Sequence, residues 1–167
     1  MSYSYVVRAP VLYVSWKGFT HSDLARVSRQ LRELRASTGK PVVYVARIPD
    51  DTRKFSRDDH DVLLGFLNGI LPSCATIHHV IEGEGFVKSA RQATVSTMAL
   101  ATPRPRDFYV HDTVAAMALV VGKVYGVDLD DIVQKRAERV SAVPAPSDRA
   151  SSAFRKAAKI VTGEDDE

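Results

Sequence analysis

Hydrophobic positions along this chain change their period again and again. In Tyr3–Arg8, Val11–Trp16, Val42–Ala46, Thr76–Glu82 and Asp107–His111 apolar residues fall at alternate positions or at every position. Such runs suit strands, whose successive side chains point to opposite faces. Between them apolar residues recur every three or four places, the spacing that lines up one face of a helix. Leu24, Val27, Leu31 and Leu34 make the first helical stripe, opened by Thr20 with Asp23 as a capping box and closed by Gly39. Val62, Leu63, Phe66, Leu67 and Ile70 make the second, opened by Ser56 and ended by Pro72. Helices are also predicted over Phe86–Ala101, after a turn at Gly83 and Gly85, and from Asp112 or Thr113 to Tyr125, where Gly126 stops it.

The alternation predicts an α/β fold, a five-stranded mixed sheet carrying four βα-type helices. Ala9 and Pro10 separate the first two runs by a tight reversal, which makes the first strand an antiparallel edge. Val42–Ala46 is apolar throughout, as expected of a central strand covered on both faces. A polar loop is expected from Arg47 to Phe55. Asp128 opens one further predicted helix through Leu129, Ile132, Val133, Arg136 and Val140. Beyond it, Ser141–Ser152 is rich in Ala, Pro and Ser, and Glu164–Glu167 is acidic. The expected division is a domain over 1–126, an appended helix over 127–140, and a mobile tail over 141–167 containing a short amphipathic stretch.

This element order, strand-strand-helix and then alternating strands and helices, resembles the SpoIIAA-like fold of STAS domains, found in anti-sigma-factor antagonists and sulfate transporters. Val80-Ile81-Glu82-Gly83-Glu84-Gly85-Phe86, followed by Phe108-Tyr109-Val110-His111-Asp112 and an Ala-rich helix, is similar to an uncharacterised STAS-like branch. The resemblance covers about Tyr5 to Val124 and implies a regulatory protein that works through protein contacts. In the antagonists a phosphorylatable Ser or Thr starts the helix after the central strand, within an Asp-Ser-Ser/Thr-Gly motif. Ser56 holds that position here and Thr52 lies close by; the chain reads Pro49-Asp50-Asp51-Thr52-Arg53-Lys54-Phe55-Ser56-Arg57, without the glycine.

The net charge of +3 is spread thinly: 19 basic against 15 acidic residues up to Val140, then 4 against 5. No concentrated positive field marks a nucleic-acid binder. Cys74 is the single cysteine, which suits a reducing compartment, and Met1–Pro10 has no secretion-signal pattern, so the cytoplasm is the expected location. No apolar stretch approaches the ~20 residues of a membrane-spanning helix.

Candidate chemistry is sparse. Gly83-Glu84-Gly85 lacks the third glycine of a dinucleotide site and the Lys-Ser/Thr ending of a P-loop. His78 and His79 are adjacent on a strand and point to opposite faces, so they cannot chelate one ion. His111 and Asp112 end a strand, where α/β sites often lie, but no nucleophile elbow accompanies them. Asp50, Asp51, Asp58, Asp59 and Asp61 are interleaved with bases and read as a solvated helix start. No catalytic, cofactor or metal site is expected.

Two helices instead look unfinished. Thr113–Val121 carries no charge on any face, and Phe86–Ala101 carries none after Arg91. The expected interaction surface is Val95, Ala99, Val114, Met117, Ala118 and Val121, with Phe154 and Val161 of the tail. Cover is available from the chain's own Leu129–Val140 helix, a second copy or a partner protein, and a homodimer is the expected assembly. The resulting expectation is a non-enzymatic, cytoplasmic regulatory or scaffold protein, with a switch at Ser56. The alternative is a lipid or small apolar ligand carrier whose pocket uses Trp16, Phe86 and Met98.

Overall fold

The computed structural model describes residues 2–53 and 55–134, Arg57 without its side chain. All of them except Gln134 lie in one compact unit, Met1–Val133. Residues 135–140 of the predicted last helix, the Ser141–Ser152 linker, the tail with Phe154 and Val161, and the acidic end fall outside the described residues.

The β-branched runs assemble as expected. β1 (Tyr3–Arg8) and β2 (Val11–Trp16) form an antiparallel hairpin. β2, β3 (Val42–Ile48), β4 (Cys74–Ile81) and β5 (Phe108–His111) are mutually parallel, in the spatial order β1-β2-β3-β4-β5. The crossovers are α1 (His21–Thr38), α2 (Arg57–Ile70) and α3 (Gly85–Leu100); α4 (Val114–Tyr125) follows β5. Residues 130–134 are also helical. Thr20 and Ser56 each form a full capping box, with Asp23 and Asp59 reaching back to the cap N–H.

Alternation along the strands builds two cores. Leu12 and Val14 of β2, Tyr44 of β3 and Ile77 and Ile81 of β4 meet α1, α2 and α3 through Leu24, Val27, Leu31, Leu67, Ile70, Val95 and Met98. Val11, Tyr13, Val43, Val45 and Val80 point the other way, onto Val114, Met117 and Val121 of α4 with Leu129 and Ile132. The chain leaves β5 at the sheet edge and α4 returns over the opposite face. That return explains why Val42–Ala46 is apolar at every position: both faces of the central strand are covered. Each such side chain contributes about 1.5–3 kcal/mol when fully buried.

Several boundaries differ from expectation: β4 ends at Ile81, β5 starts at Phe108 and α3 spans Gly85–Leu100, each a shift of one residue, and three differences are larger. β3 runs to Ile48, so Arg47 lies in the strand and not in the loop, paired with Ser15 and Val80. Its guanidinium donates to Glu82 Oε1 (3.0 Å), Glu82 Oε2 (2.8 Å) and Ser15 Oγ (3.1 Å). A charged residue can hold a half-buried strand end when its partner is buried with it, a pairing that period alone does not reveal. β4 starts at Cys74 rather than Thr76. The compact unit also continues past residue 126, because Leu129 and Ile132 are buried in the second core.

Candidate functional site

α4 carries one charge, Lys123 in its last turn, and is otherwise apolar, and the sheet takes one arc of it. Val114, Met117 and Val121 face inward and are buried, as are Val95 and Ala99 of α3. These five residues of the expected interaction surface are therefore core and not surface. The stretch Thr113–Val121, uncharged on every face, carries no signal of which arc meets the sheet, so the expected surface on α4 falls on its buried arc. Ala118 is half-buried at the margin. The exposed arc is Ala115, Ala116, Leu119, Val120 and Val124, with Lys123 as its one charge. Leu119 is 74% exposed and Val124 66%. Leu129, Ile132 and Val133 join the second core, and among the described residues none covers this arc.

The ends of α4 carry opposite charges. Asp112, just before the helix, accepts from Lys88 Nζ at 2.8 Å and Gln92 Nε2 at 3.1 Å and is 71% exposed. The Lys88 ammonium holds its carboxyl below the usual range. Lys123 lies in the last turn. Edge strand β5 exposes Tyr109 (43%) on the α4 face of the sheet and Val110 (40%) on the other.

Of the two expected phosphosites, the structure leaves one accessible. Thr52 is 4% exposed and its hydroxyl donates to the Trp16 carbonyl at 2.8 Å, so it is a buried tie and not an acceptor for a kinase. Ser56 is exposed, and its Oγ accepts from the Asp59 N–H at 3.2 Å. Arg53 already forks onto Asp59 at 2.7 and 2.8 Å and holds that carboxyl well below the usual range. Arg91 anchors the same loop. It is 7% exposed and donates to the carbonyls of Pro49 (3.2 Å), Asp50 (3.1 Å) and Thr52 (2.6 Å), a role the sequence reading missed.

No family model matches the chain, and no curated protein or solved structure is significantly similar to it.

The histidines divide between the faces as alternation requires. Beneath α4, His78 Nδ1 and His111 Nε2 are hydrogen-bonded at 2.9 Å, His78 Nε2 meets Thr76 Oγ1 at 3.1 Å, and Thr76 meets the Tyr125 hydroxyl at 2.9 Å. The His78 ring also stacks on Tyr109, with centroids 4.8 Å apart. Burial pushes His78 down to about 4, helped by His111. Burial lowers His111 too, against the pull of Asp112. The network can share protons internally, yet Asp112 is engaged by Lys88 and Gln92. Burial pushes the Cys74 thiol up to about 12, so it stays protonated. Among the described residues no three His, Cys, Asp or Glu side chains stand close enough to hold a metal ion. Within the acidic cluster, Asp51 faces Lys17, Asp59 faces Arg53 and Asp61 faces His60.

On the other face, Trp16 and Met98 do line a common cavity of about 50 Å³, together with Phe66 and His79. Phe86 does not; it is 87% exposed at the start of α3. A dry cavity of about 150 Å³ takes one benzene ring, and this space is a third of that.

Proposed function

We propose that this chain is a non-enzymatic regulatory or scaffold protein of STAS-like architecture that acts through protein contact, with the exterior of α4 as its docking surface and a second copy of the chain as the occupant. The element order supports the architecture. The observation that carries the docking reading is the exposed arc of Leu119, Val120 and Val124 flanked by the small Ala115 and Ala116, which no other described residue covers. Contiguous apolar surface of this kind marks a site of association.

Charge favours a second copy. Two α4 helices packed antiparallel about a two-fold axis near Leu119 bring Lys123 of each toward Asp112 of the other, and they oppose the helix dipoles favourably. A 12-residue helix is about 18 Å long. Alone it covers less than the ~800 Å² per partner of a standard interface. Tyr109 of β5, on the same face as its register partner His78, extends the patch, and the contact belongs to the weak, concentration-dependent class. Ser56, exposed at the start of α2, is the accessible position for a switch: a phosphate there would compete with Asp59 for Arg53.

The test is a pair of charge insertions, Leu119→Glu and Val124→Glu, in the full chain. Both side chains are mostly exposed, so the fold should keep its stability within about 0.5 kcal/mol. Light scattering at matched concentrations should show association in the parent and its loss in both variants. Equal masses for parent and variants at every concentration would defeat the reading.

A further inference from the structure

The cavity on the α1–α3 side of the sheet holds a feature unrelated to docking. His79 is 5% exposed, and its Nδ1 has no hydrogen-bond partner among the described residues. Leaving a buried polar atom unpaired costs about 1–3 kcal/mol, so an orphan of this kind calls for an explanation. His79 lines the cavity with Trp16, Tyr44, Phe66 and Met98. The room comes from the neighbouring strand, where Ala46 is the register partner of His79 and fills little of the space.

A second polar group faces the same space. The Tyr44 hydroxyl accepts from Trp16 Nε1 at 2.9 Å, and a phenol that has accepted one bond still carries its own hydrogen to donate. Burial pushes the Tyr44 phenol well above its ordinary range, and it pushes the His79 ring down to about 4. Both groups are neutral at pH 7. Each wants a neutral partner, and nothing in the lining supplies a charge. The cavity lies toward the carboxyl ends of the strands: Trp16 ends β2, Ile48 ends β3 two residues after Ala46, and His79 lies late in β4.

We propose that this cavity is a binding site for a small neutral hydroxyl compound, a short-chain alcohol whose oxygen sits between the Tyr44 hydroxyl and His79 Nδ1 and whose carbon lies among Phe66, Met98 and Trp16. A hydroxyl is the group that both accepts and donates, which the pair requires. Size sets the limit: about 50 Å³ is a third of the roughly 150 Å³ cavity that takes a benzene ring, room for a molecule of a few non-hydrogen atoms. Water is the competing occupant.

Methanol is the probe, added to the full ¹⁵N-labelled chain at pH 7 while the ring nitrogens of the histidines are followed by long-range ¹H–¹⁵N NMR. A saturable shift of the His79 ring is expected, with His78 and His111, on the opposite face, unmoved. Tyr44→Phe should weaken binding about tenfold or more. Ala46→Val leaves both polar groups in place and fills the space, so it should abolish the shift even if a change at His79 itself prevents folding. Xenon, an apolar probe of similar size, should bind at least tenfold more weakly than methanol. The proposal is overturned if the shift fails to saturate, if all three histidines move alike, if xenon binds as well as methanol, or if a resident water stays in place at high methanol.

Discussion

Lowering the pH from 7.5 to 5 should destabilise this fold by about 4 kcal/mol, and the source is two buried imidazoles. His78 and His79 are 2% and 5% exposed, and burial holds each at about 4 against an ordinary 6.5. Between those values the unfolded chain binds more protons than the folded one, so stability falls as pH falls. At pH 5 the difference is about 2 kcal/mol per ring, and below pH 4 it reaches about 3 kcal/mol per ring. His111, also lowered, acts in the same direction. The carboxylates do not confuse the window: Asp23 and Asp59 are held below the ordinary 3.8, so their contribution is lost only as pH falls further. A fold of this size is stable by about 5–15 kcal/mol, so the loss is a large share. Urea unfolding followed by circular dichroism at pH 7.5, 6 and 5 measures it. His79→Phe, which leaves an apolar ring in its place, should roughly halve the slope. Equal stabilities at pH 7.5 and 5 within about 1 kcal/mol, or a transition centred below pH 4, would refute the reasoning.

Three further substitutions probe the loops beside the sheet's C-terminal edge. Arg91→Ala strands the carbonyls of Pro49, Asp50 and Thr52 in a partly buried loop and should cost about 2–3 kcal/mol in urea unfolding, with faster proteolysis between Pro49 and Ser56. Gly83 has φ of 102° and a Cβ there would stand 2.3 Å from Asp50 Oδ1; because the Asp50 side chain is 73% exposed and can swing away, Gly83→Ala should cost mainly backbone strain, about 1–3 kcal/mol by thermal or urea unfolding. Ser56→Ala removes one capping bond and should cost about 1 kcal/mol, while Ser56→Asp, which keeps a capping oxygen, should cost less in the same assay.

Most of the architecture was legible because it rests on local period. The alternation in Thr76–Glu82 correctly separated Ile77, His79 and Ile81 from His78 and Val80, and the caps at Thr20, Ser56 and Gly39 fell where side-chain chemistry put them. What stayed hidden depends on distant pairing. Nothing near Arg47 announces Glu82, 35 residues away, and nothing in α3 announces that Arg91 reaches back to Pro49. The meeting of His78 with His111 follows from the β4–β5 register, which neither segment encodes alone. The α4 surface stayed hidden for a related reason: the uncharged stretch Thr113–Val121 says that both sides want cover but not which side the sheet supplies. The cavity beside His79 arises from the small Ala46 on the adjacent strand, a juxtaposition visible only once the strands are paired.

Sedimentation equilibrium of the full chain, from about micromolar to about millimolar at neutral pH, tests the docking surface most directly. The account predicts a mass that rises with concentration from the 18.4 kDa of one chain toward twice that value, and stays at one chain for Leu119→Glu. A single-chain mass throughout, or association that persists unchanged in Leu119→Glu and Val124→Glu, would contradict it.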